Sequence, residues 1–442
     1  MNRRVKMLAA AAAVSVFLSG CGMQAMNQLY CMPRRPDSFY SLQNAVDSAM
    51  EGMEYCAPLT GGHQQAVQTA DLDGDGIDEY LLFAKGNGEK PLNIFIFRYQ
   101  DDAYNLDQTI SFSGSAFEQV DYVQLDNVGG MEMIVGCQVS EQLSRSVSVY
   151  SYQDGQMAQV LGTNYNRILA NDFNGDGIPE LLMIRSGARE TDNAIAQLYG
   201  FAGGEVNKSV EVEMSQPVSH LKRMVAGKLE DGAPAVYVAS NVDQFAVVTD
   251  VLALQDKKFT NISREDKESQ TVRKYSVYAD DVDQDGVLEM PCLLHPATLF
   301  QEKTLEREWI ILWYSMDSYG NKTDKAYSFH NFDRGWSMRL ESPVAAETIV
   351  TVDRMDQNSV SYQFGTWDSK EHQSRVYMTV YELEGPDREE EAAQDNRFVL
   401  QRTDSVVYAA RMETVCAEYG ITQDSLVRSF GFLNNEWING KS

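Results

Sequence analysis

Cysteine and histidine are scarce in this chain of 442 residues, which has six of the former and five of the latter. The histidines are isolated and no CxxC pair occurs, so the ligand spacing of a zinc site is missing. Cys31 and Cys56 are the only cysteines whose separation makes a disulfide plausible. Apart from Cys21, the cysteines are too scattered for a disulfide framework: Cys31, Cys56, Cys137, Cys292 and Cys416.

The sequence motifs of the common catalytic machineries are also missing. The chain has no GxSxG, no HExxH, no Walker loop and no GxGxxG after a predicted strand. Paired carboxylates are so numerous in this acidic chain that they identify no acid–base pair. Beyond the N-terminal region, no stretch approaches the roughly eighteen uninterrupted apolar residues of a membrane-spanning helix.

Positive charge is in short supply. The chain has 64 acidic residues against 37 lysines and arginines, which gives a formal net charge of −27 at pH 7. Such a surface repels nucleic acid and anionic lipid headgroups, and it attracts divalent cations. The composition therefore excludes nucleic acid as a partner.

The N-terminus has the one concentrated basic segment. Arg3, Arg4 and Lys6 precede an apolar stretch at residues 7–18, which is too short to span a bilayer. The following "LSGC" resembles the lipobox of bacterial lipoproteins, in which the cysteine is acylated and becomes the new N-terminus. The resemblance implies a signal peptide at residues 1–20 and an extracytoplasmic protein, anchored to the bacterial cell membrane through a lipid on Cys21. An ordinary signal peptide with a chance cysteine is the alternative.

Three acidic loops recur along the chain: "DLDGDGIDE" from Asp71, "DFNGDGIPE" from Asp172 and "DVDQDGVLE" from Asp281. Two degenerate copies lie between them, around Glu132 and Ala235. Aligned at the residue that opens the next apolar run, the five copies are 53, 48, 55 and 54 residues apart. Polar turns repeat with intervals of 53, 49 and 53 residues, at Asp101, Asp154, Gly203 and Asp256. Two independent markers with one period indicate an internal repeat of about 50 residues.

Each repeat predicts four short strands. In the first repeat they are 80–84, 92–99, 104–112 and 117–125, separated by Gly, Asp and Ser turns. The run after each acidic loop is wholly apolar, as in a strand that is covered on both faces. Four strands in about 50 residues match the blade of a β-propeller, so we expect about five blades over residues 59–325. Residues 63–73 would supply the outer strand that closes the ring with the last blade.

The segment before the repeats predicts a tether followed by a short helix, together spanning residues 21–58. An amphipathic helix is expected at 41–53, with one apolar face formed by Leu42, Val46, Met50 and Met53.

The repeat period is lost after residue 325. Strand-like runs and a final helix in "TQDSLVRSFGFL", with Thr422 or Asp424 as N-cap, predict an α+β domain over residues 326–442. This region resembles the PsbP-like α/β sandwich. The predicted fold class is therefore mainly β: a β-propeller of about five four-stranded blades, plus a C-terminal α+β domain.

The acidic loops have the spacing of a calcium site. In the pattern D-x-[D/N]-x-D-G-x-x-E, oxygens at positions 1, 3, 5, 7 and 9 can converge on one centre, and glycine at position 6 permits the sharp turn. A hard cation with roughly six to eight oxygen ligands suits such a loop, and this cation is calcium. Solvated turns that favour aspartate for geometric reasons are the alternative. An EF-hand is excluded because position 12 is Leu82, Met183 or Cys292, and none of these is an acid.

These loops resemble FG-GAP or VCBS repeats, the calcium-loop propeller blades of integrin-α heads and many bacterial surface proteins. The resemblance covers about residues 60–325 and implies up to three structural Ca²⁺ sites, with none at the two degenerate copies. The implied ligands of the first loop are Asp71, Asp73, Asp75, the carbonyl of Ile77, and Glu79. Those of the second are Asp172, Asn174, Asp176, the carbonyl of Ile178, and Glu180. Those of the third are Asp281, Asp283, Asp285, the carbonyl of Val287, and Glu289.

The chain as a whole resembles surface lipoproteins of clostridia-like bacteria, a family that implies no particular activity. Two classes of function remain. The first class is a non-catalytic, calcium-stabilised scaffold on the cell envelope that binds a protein or a glycan. The second is a polysaccharide-active enzyme similar to propeller lyases, which would need basic residues around a channel. The few histidines and the lack of a basic cluster in the sequence favour the first class.

The lipobox generates the first testable prediction. Cys21→Ala removes the acceptor of the lipid, so the variant should be released from membranes or should remain unprocessed. Cell fractionation, with the mass of the chain read by mass spectrometry, measures both effects. A variant that is still membrane-bound and trimmed after Gly20 would contradict the lipoprotein prediction.

Overall fold

The computed structural model describes residues 37–139, 145–244, 246–265, 268–294, 310–340, 344–354, 359–368 and 373–433. The lipobox, Cys21 and Cys31 lie outside these residues. The described part is mainly β, with twenty-nine strands and three short α-helices. None of its helices has the length and apolar character needed to cross a membrane. The chain divides into two compact units, one with residues 1–57, 65–70 and 76–112, the other with residues 58–64, 71–75 and 113–442.

The first unit contains one helix, α1 (Asp37–Ala49), and one antiparallel sheet. The strands of this first sheet are β1 (Glu54–Tyr55), β2 (Val67–Ala70), β3 (Glu79–Lys85), β4 (Leu92–Gln100) and β5 (Ala103–Phe112). The order is β1-β3-β4-β5, and β2 also pairs with β3.

Helix α1 packs on the first sheet through the face that the sequence predicts. The observed helix begins four residues earlier than expected and ends at Ala49, so the last two residues of that face follow it in a turn. Ser41 Oγ accepts the N–H of Tyr104 at 2.9 Å, which ties the helix to β5. The apolar face (Leu42, Val46, Met50 and Met53) contacts the buried side chains of Leu82, Ala84, Phe95 and Phe97.

The second unit begins with three antiparallel sheets, each made of four consecutive strands. The second sheet contains β6 (Ala116–Val123), β7 (Glu132–Gln138), β8 (Arg145–Gln153) and β9 (Gln156–Tyr165). The third contains β10 (Arg167–Asn171), β11 (Glu180–Arg185), β12 (Ile195–Ala202) and β13 (Glu205–Glu213). The fourth contains β14 (Leu221–Lys228), β15 (Pro234–Asn241), β16 (Val247–Gln255) and β17 (Lys258–Asn261).

A two-stranded ribbon and two larger sheets complete the second unit. The ribbon is β18 (Arg264–Glu265) with β19 (Glu268–Ser269). The fifth sheet contains β20 (Met290–Leu294), β21 (Ile310–Met316), β22 (Lys322–Asn331), β23 (Trp336–Leu340) and, at its edge, β29 (Phe430–Phe432). The sixth contains, in spatial order, β24 (Thr348–Arg354), β25 (Ser359–Asp368), β26 (Gln373–Glu384), β28 (Val406–Met412) and β27 (Phe398–Arg402).

Two short helices accompany the last sheets: α2 (Arg388–Glu391) and α3 (Gln423–Ser429). The predicted N-cap of α3 is confirmed, because Thr422 Oγ1 accepts the N–H of Ser425 at 3.1 Å, and Ser425 Oγ accepts the N–H of Thr422 in return.

Consecutive sheets of the second unit share apolar cores. The second and third sheets meet at residues such as Ile134 and Leu181, and the third and fourth at Leu182 and Val236. The fourth and fifth meet at Tyr237 and Tyr314, and the fifth and sixth at Trp336 and Phe364. Four-stranded antiparallel sheets that pack in chain order are the construction of propeller blades. The fold is propeller-like in this respect, and the closed ring and the number of about five blades stay predictions.

The predicted strands of the first repeat exist, but they are grouped one strand earlier than expected. Strand β2 pairs with β3, from Val67 opposite Leu82 to Ala70 opposite Glu79. It therefore belongs to the first sheet, and the prediction that residues 63–73 close the last blade is wrong. The predicted strand 117–125 is β6, which opens the second sheet. The first and second acidic loops thus each join two neighbouring strands of one sheet, β2 with β3 and β10 with β11, because a short loop holds its flanking strands side by side. The third loop lies between Asp280 and Glu289, which form an isolated antiparallel bridge just before β20.

The boundary predicted between residues 325 and 326 falls inside β22. This strand pairs with β21 from Ile310 opposite Phe329 to Met316 opposite Lys322. Residues 326–340 therefore complete the fifth sheet, and the C-terminal part of the chain contributes β29 to the same sheet through β23. The described part of the C-terminal region is predominantly β, since its two α-helices have only four and seven residues.

Candidate metal sites in the acidic loops

The second and third acidic loops share one backbone design. The aspartate at position 1 accepts two backbone N–H groups of its own loop: Asp172 those of Gly175 and Gly177, and Asp281 those of Asp285 and Gly286. The residue after the glycine donates to the aspartate at position 5 at 2.8 Å in both loops. The glycine at position 6 has φ of 88° and 87°, a left-handed conformation in which a side chain would be strained. The aspartates therefore fold the loop as well as giving it charge.

The glutamate at position 9 closes the loop. One of its carboxylate oxygens, Oε2, accepts the backbone N–H of the residue at position 2. The distances are 2.7 Å for Glu132, 2.9 Å for Glu180 and 3.0 Å for Glu289. In the degenerate copy with Ala235 at this position, the corresponding N–H, that of Leu229, donates to the carbonyl of Ala233 instead. A glutamate at position 9 thus takes the place of the backbone carbonyl that accepts this N–H in the degenerate copy.

The other carboxylate oxygen, Oε1, distinguishes the four glutamates. In three of the four copies it has a protein partner: Arg98 Nε lies 3.5 Å from Glu79, Ser151 Oγ donates to Glu132 at 3.0 Å, and Asn174 Nδ2 donates to Glu180. Glu289 is fully buried, and its Oε1 has no hydrogen-bond donor among the described residues. A buried polar atom without a partner is destabilising by roughly 1–3 kcal/mol, so this carboxylate calls for a proton or a cation.

In the third loop, the side chain at the position of the donor to Glu132 donates to a neighbouring copy of the repeat and not to Glu289. In each sheet, the residue just after the position-9 glutamate pairs with a residue on the neighbouring strand. The next residue on that neighbouring strand is Arg98 in the first sheet and Ser151 in the second. In the fifth sheet it is Ser315. Ser315 Oγ donates to Glu230 at 2.6 Å. Glu230 belongs to the degenerate loop before β15, and it leaves Glu289 without the hydroxyl that Glu132 has.

Burial raises the pKa of Glu289 to about 7 from an ordinary value of 4.5. The charges of Asp283, Asp285 and Asp281 raise it further, and the hydrogen bond from Val282 opposes them. Burial also raises the pKa of Glu132 and Glu180, and the hydrogen bonds to these two carboxylates oppose that effect. The third loop therefore places a carboxyl that resists ionisation beside three aspartates. A bound cation would lower the pKa of this carboxyl and favour its ionised form.

Among the described residues, two groups of carboxylates are each compact enough to hold an ion. Asp281, Asp283 and Asp285 each place an oxygen within 4.8 Å of the others, and the predicted ligand Glu289 is not in this group. The first loop brings Asp71, Asp73 and Glu79 together in the same way, without Asp75.

The second loop forms no such group within its described residues, and the amide of Asn174 donates to Glu180 Oε1. The predicted ligands Asp172 and Asp176 accept backbone N–H groups of their loop, as Asp281 and Asp285 do in the third loop. The carbonyls of Ile77, Ile178 and Val287 stay predicted ligands.

Sequence reasoning missed the side chains that satisfy the glutamates. Arg98 and Ser151 lie on the third strand of their sheets, nineteen residues after Glu79 and Glu132. The available signal was one polar residue at the same place in three apolar runs: "IFIFRY", "VSVYSY" and "ILWYSM". The acidic motif alone could not reveal it.

The structure also brings two arginines together, although no basic cluster is visible in the sequence. Arg145 Nη1 and Arg167 Nη1 both donate to the carbonyl of Asn166, at 3.1 and 3.0 Å. Arg145 Nη2 also lies 2.9 Å from a carboxylate oxygen of Glu118. Burial lowers the pKa of Arg167, and the neighbouring Arg145 lowers it further. The cluster is thus basic in part, with one of its two charges paired.

Comparison with known proteins gives distant structural likenesses. No family model and no curated protein matches the chain. The exotype rhamnogalacturonan lyase YesX has a TM-score of 0.28 at 14% identity, over 73% of this chain and 65% of that chain. Rhamnogalacturonan lyase YesW gives 0.27 at 13% identity, over 73% and 64%, and a protein from Lactobacillus plantarum gives 0.26 at 9%, over 74% and 95%. The chain thus spans just under two thirds of the length of the two lyases, and the fold described above stands on its own strand pairing.

The raised pKa of Glu289 predicts a pH dependence in chelator. Because the folded state binds this proton more tightly than the unfolded chain, the stabilisation is complete below pH 4.5 and is lost as the pH rises through about 7. The rise in pKa corresponds to a loss of at most about 3 kcal/mol. Glu289→Gln should flatten this part of the profile, since its amide can donate to the aspartates as Asn174 donates to Glu180. Unfolding free energies measured against pH in chelator test this, and coincident profiles for the two proteins would contradict it.

Proposed function

We propose that this chain is a non-catalytic, calcium-stabilised protein of the bacterial cell envelope, held by a lipid on Cys21, that binds a protein or a glycan. One observation supports the calcium above all others: the buried Glu289 Oε1, which has no donor among the described residues and lies beside three aspartates. A cation in the third loop would give this oxygen a partner and would remove the repulsion among the four carboxylates. The lipobox supports the location.

Calcium is the cation that these donors suit best. The side chains offered are carboxylates, without a nitrogen or sulfur ligand, which favours a hard cation. The loop is exposed to solvent at Asp285 and half-buried at Asp283, so water can complete a coordination shell of variable geometry. Calcium accepts such a shell more readily than magnesium, which demands near-ideal octahedral geometry.

The three loops should differ in affinity. The third should bind most tightly, because the Oε1 of Glu289 lacks a protein donor. In the first, the guanidinium of Arg98 lies 3.5 Å from Glu79 and offsets part of the negative charge. In the second, Asn174 both removes one carboxylate and donates to Glu180, so this loop should bind weakest.

Calcium should therefore raise the melting temperature of the full-length chain, and chelator should lower it. A site that binds only in the folded state, with a Kd of about 10⁻⁴ to 10⁻³ M, adds about 1–3 kcal/mol at roughly 10 mM calcium. Asp283→Ala and Asp73→Ala should each remove part of the calcium-induced shift. Asp176→Ala in the second loop is the matched control, since it should lower the melting temperature while leaving the calcium-induced shift nearly unchanged. Identical melting curves with calcium and with chelator would eliminate the metal sites.

A polysaccharide-active enzyme is the second candidate, and the arginine pair favours it. Arg145 and Arg167 converge on the carbonyl of Asn166, and the buried hydroxyl of the adjacent Tyr165 has no hydrogen-bond partner among the described residues. Guanidinium groups suit the carboxylates of acidic sugars. The ion pair between Arg145 and Glu118 counts against this candidate, because it neutralises one of the two charges.

A glycan array followed by an incubation assay separates the two functions. The proposed binding module should retain a subset of glycans, or none if its ligand is a protein, and should leave acidic polysaccharides intact. Release of unsaturated uronate products, followed by their ultraviolet absorbance, would favour the enzyme. Loss of that release in Arg167→Gln, with an unchanged melting temperature, would assign the activity to the arginine pair and overturn the non-catalytic proposal.

A further inference from the structure

Lys325 is a cation shared between the third acidic loop and a degenerate copy of the same motif. Its Nζ lies 2.7 Å from Oε2 of Glu230 and 3.6 Å from Oδ2 of Asp285. Glu230 is the carboxylate that also takes the hydroxyl of Ser315. The degenerate copy has no glutamate at position 9, yet its acidic residue reaches the neighbourhood of the intact third loop.

The backbone holds these groups in place. Glu230 N–H donates to the carbonyl of Met316 at 2.8 Å, at the end of the strand β21 that contains Ser315. In the third loop, Leu288 N–H donates to the carbonyl of Lys228 at 3.1 Å, and Val287 forms a parallel bridge with Lys228. The third loop and the degenerate copy are therefore joined directly, and the distance of Lys325 from Asp285 follows from this junction.

We propose that Glu230 and Lys325 set the divalent-cation affinity of the third acidic loop. This inference rests on the metal site proposed above and deepens it. Lys325 is a tethered positive charge at the edge of the site, and Glu230 determines how far that charge is shared with Asp285. In the metal-free chain Lys325 offsets part of the repulsion among the loop carboxylates. In the metal-bound chain the same charge repels the ion and lowers its affinity.

The lengths of the two ion pairs indicate which partner holds the lysine. The 2.7 Å pair with Glu230 is a direct hydrogen bond, whereas 3.6 Å to Asp285 is an electrostatic contact without one. Asp285 therefore remains available to an ion while Glu230 is charged. Arg339 is a second cation beside the loop, but its Nη1 donates to the carbonyl of Val282 at 3.1 Å, a backbone atom rather than a carboxylate.

Two substitutions should act with opposite signs. Lys325→Gln removes the repelling charge, so the third loop should bind calcium about twofold to fivefold more tightly. Glu230→Gln removes the partner that draws Lys325 away, so the lysine should pair with Asp285 and weaken calcium binding by a similar factor. Simple damage to the contact between the loop and the degenerate copy would weaken binding in both variants. The opposite signs therefore separate control of affinity from a structural role.

The measurement is a calorimetric titration of the full-length chain with calcium chloride. All variants are made in an Asp73→Asn background, which removes a ligand of the first loop and leaves the third loop to dominate the isotherm. Lys322→Gln is the matched control, because Lys322 lies on the same strand but places its ammonium over the ring of Tyr314 at 4.6 Å. This variant should bind calcium as the background chain does. In a chain that also has Asp283→Asn, Lys325→Gln should have no effect on calcium binding.

The outcomes distinguish this inference from the proposal beneath it. Tighter binding in Lys325→Gln with weaker binding in Glu230→Gln supports it. Unchanged or weakened binding in Lys325→Gln, in a background chain that binds calcium, overturns the role of Lys325 and leaves the metal site standing. A background chain that binds no calcium, with wild-type melting curves indifferent to chelator, overturns both.

Discussion

The structure depends on one hydrogen bond that recurs along the chain, from the backbone N–H at position 2 of a loop to the glutamate at position 9. It closes the loop that leads into β7, β11 or β20, with lengths of 2.7 to 3.0 Å at Glu132, Glu180 and Glu289. The same bond buries a carboxylate at the start of a sheet, where a charge without partners is destabilising. Each copy of the repeat must therefore supply something for the second oxygen of that carboxylate.

The answer to this requirement separates structural turns from candidate metal sites. A guanidinium, a hydroxyl and an amide serve Glu79, Glu132 and Glu180, whereas Glu289 has no donor among the described residues. Loops with nearly the same sequence therefore differ in whether the Oε1 of their glutamate has a protein partner or needs one from the solvent. The degenerate copy around Glu230 adds to the difference, because it takes the hydroxyl of Ser315 and holds Lys325 beside the third loop. A motif that has lost its own glutamate can in this way tune its neighbour.

Much of the local structure could be predicted from the sequence. The strands of the first repeat, the apolar face of α1 and the cap at Thr422 follow from apolar periodicity and capping chemistry, which are local properties. The grouping of strands into sheets could not be predicted in the same way. Alternation shows that residues 117–125 form a strand, but it does not show whether that strand pairs with the one before or the one after. The boundary predicted at residue 325 lies inside β22 for the same reason, since the end of a repeat period does not show which strands pair.

The ligands of the candidate sites could be predicted from the sequence, but the order of the three loops in calcium affinity could not. Spacing alone selects Asp281, Asp283, Asp285 and Glu289, but the partners that decide between loops are Arg98, Ser151 and Ser315, each on another strand.

The most direct measurement is a crystal structure grown in calcium, with anomalous diffraction data collected at long wavelength. An anomalous peak about 2.3–2.6 Å from the oxygens of the third-loop aspartates and from Glu289 Oε1 is the predicted result. A structure in calcium without a peak at the third loop, with Glu289 Oε1 hydrogen-bonded to a protein donor or to water, would contradict it.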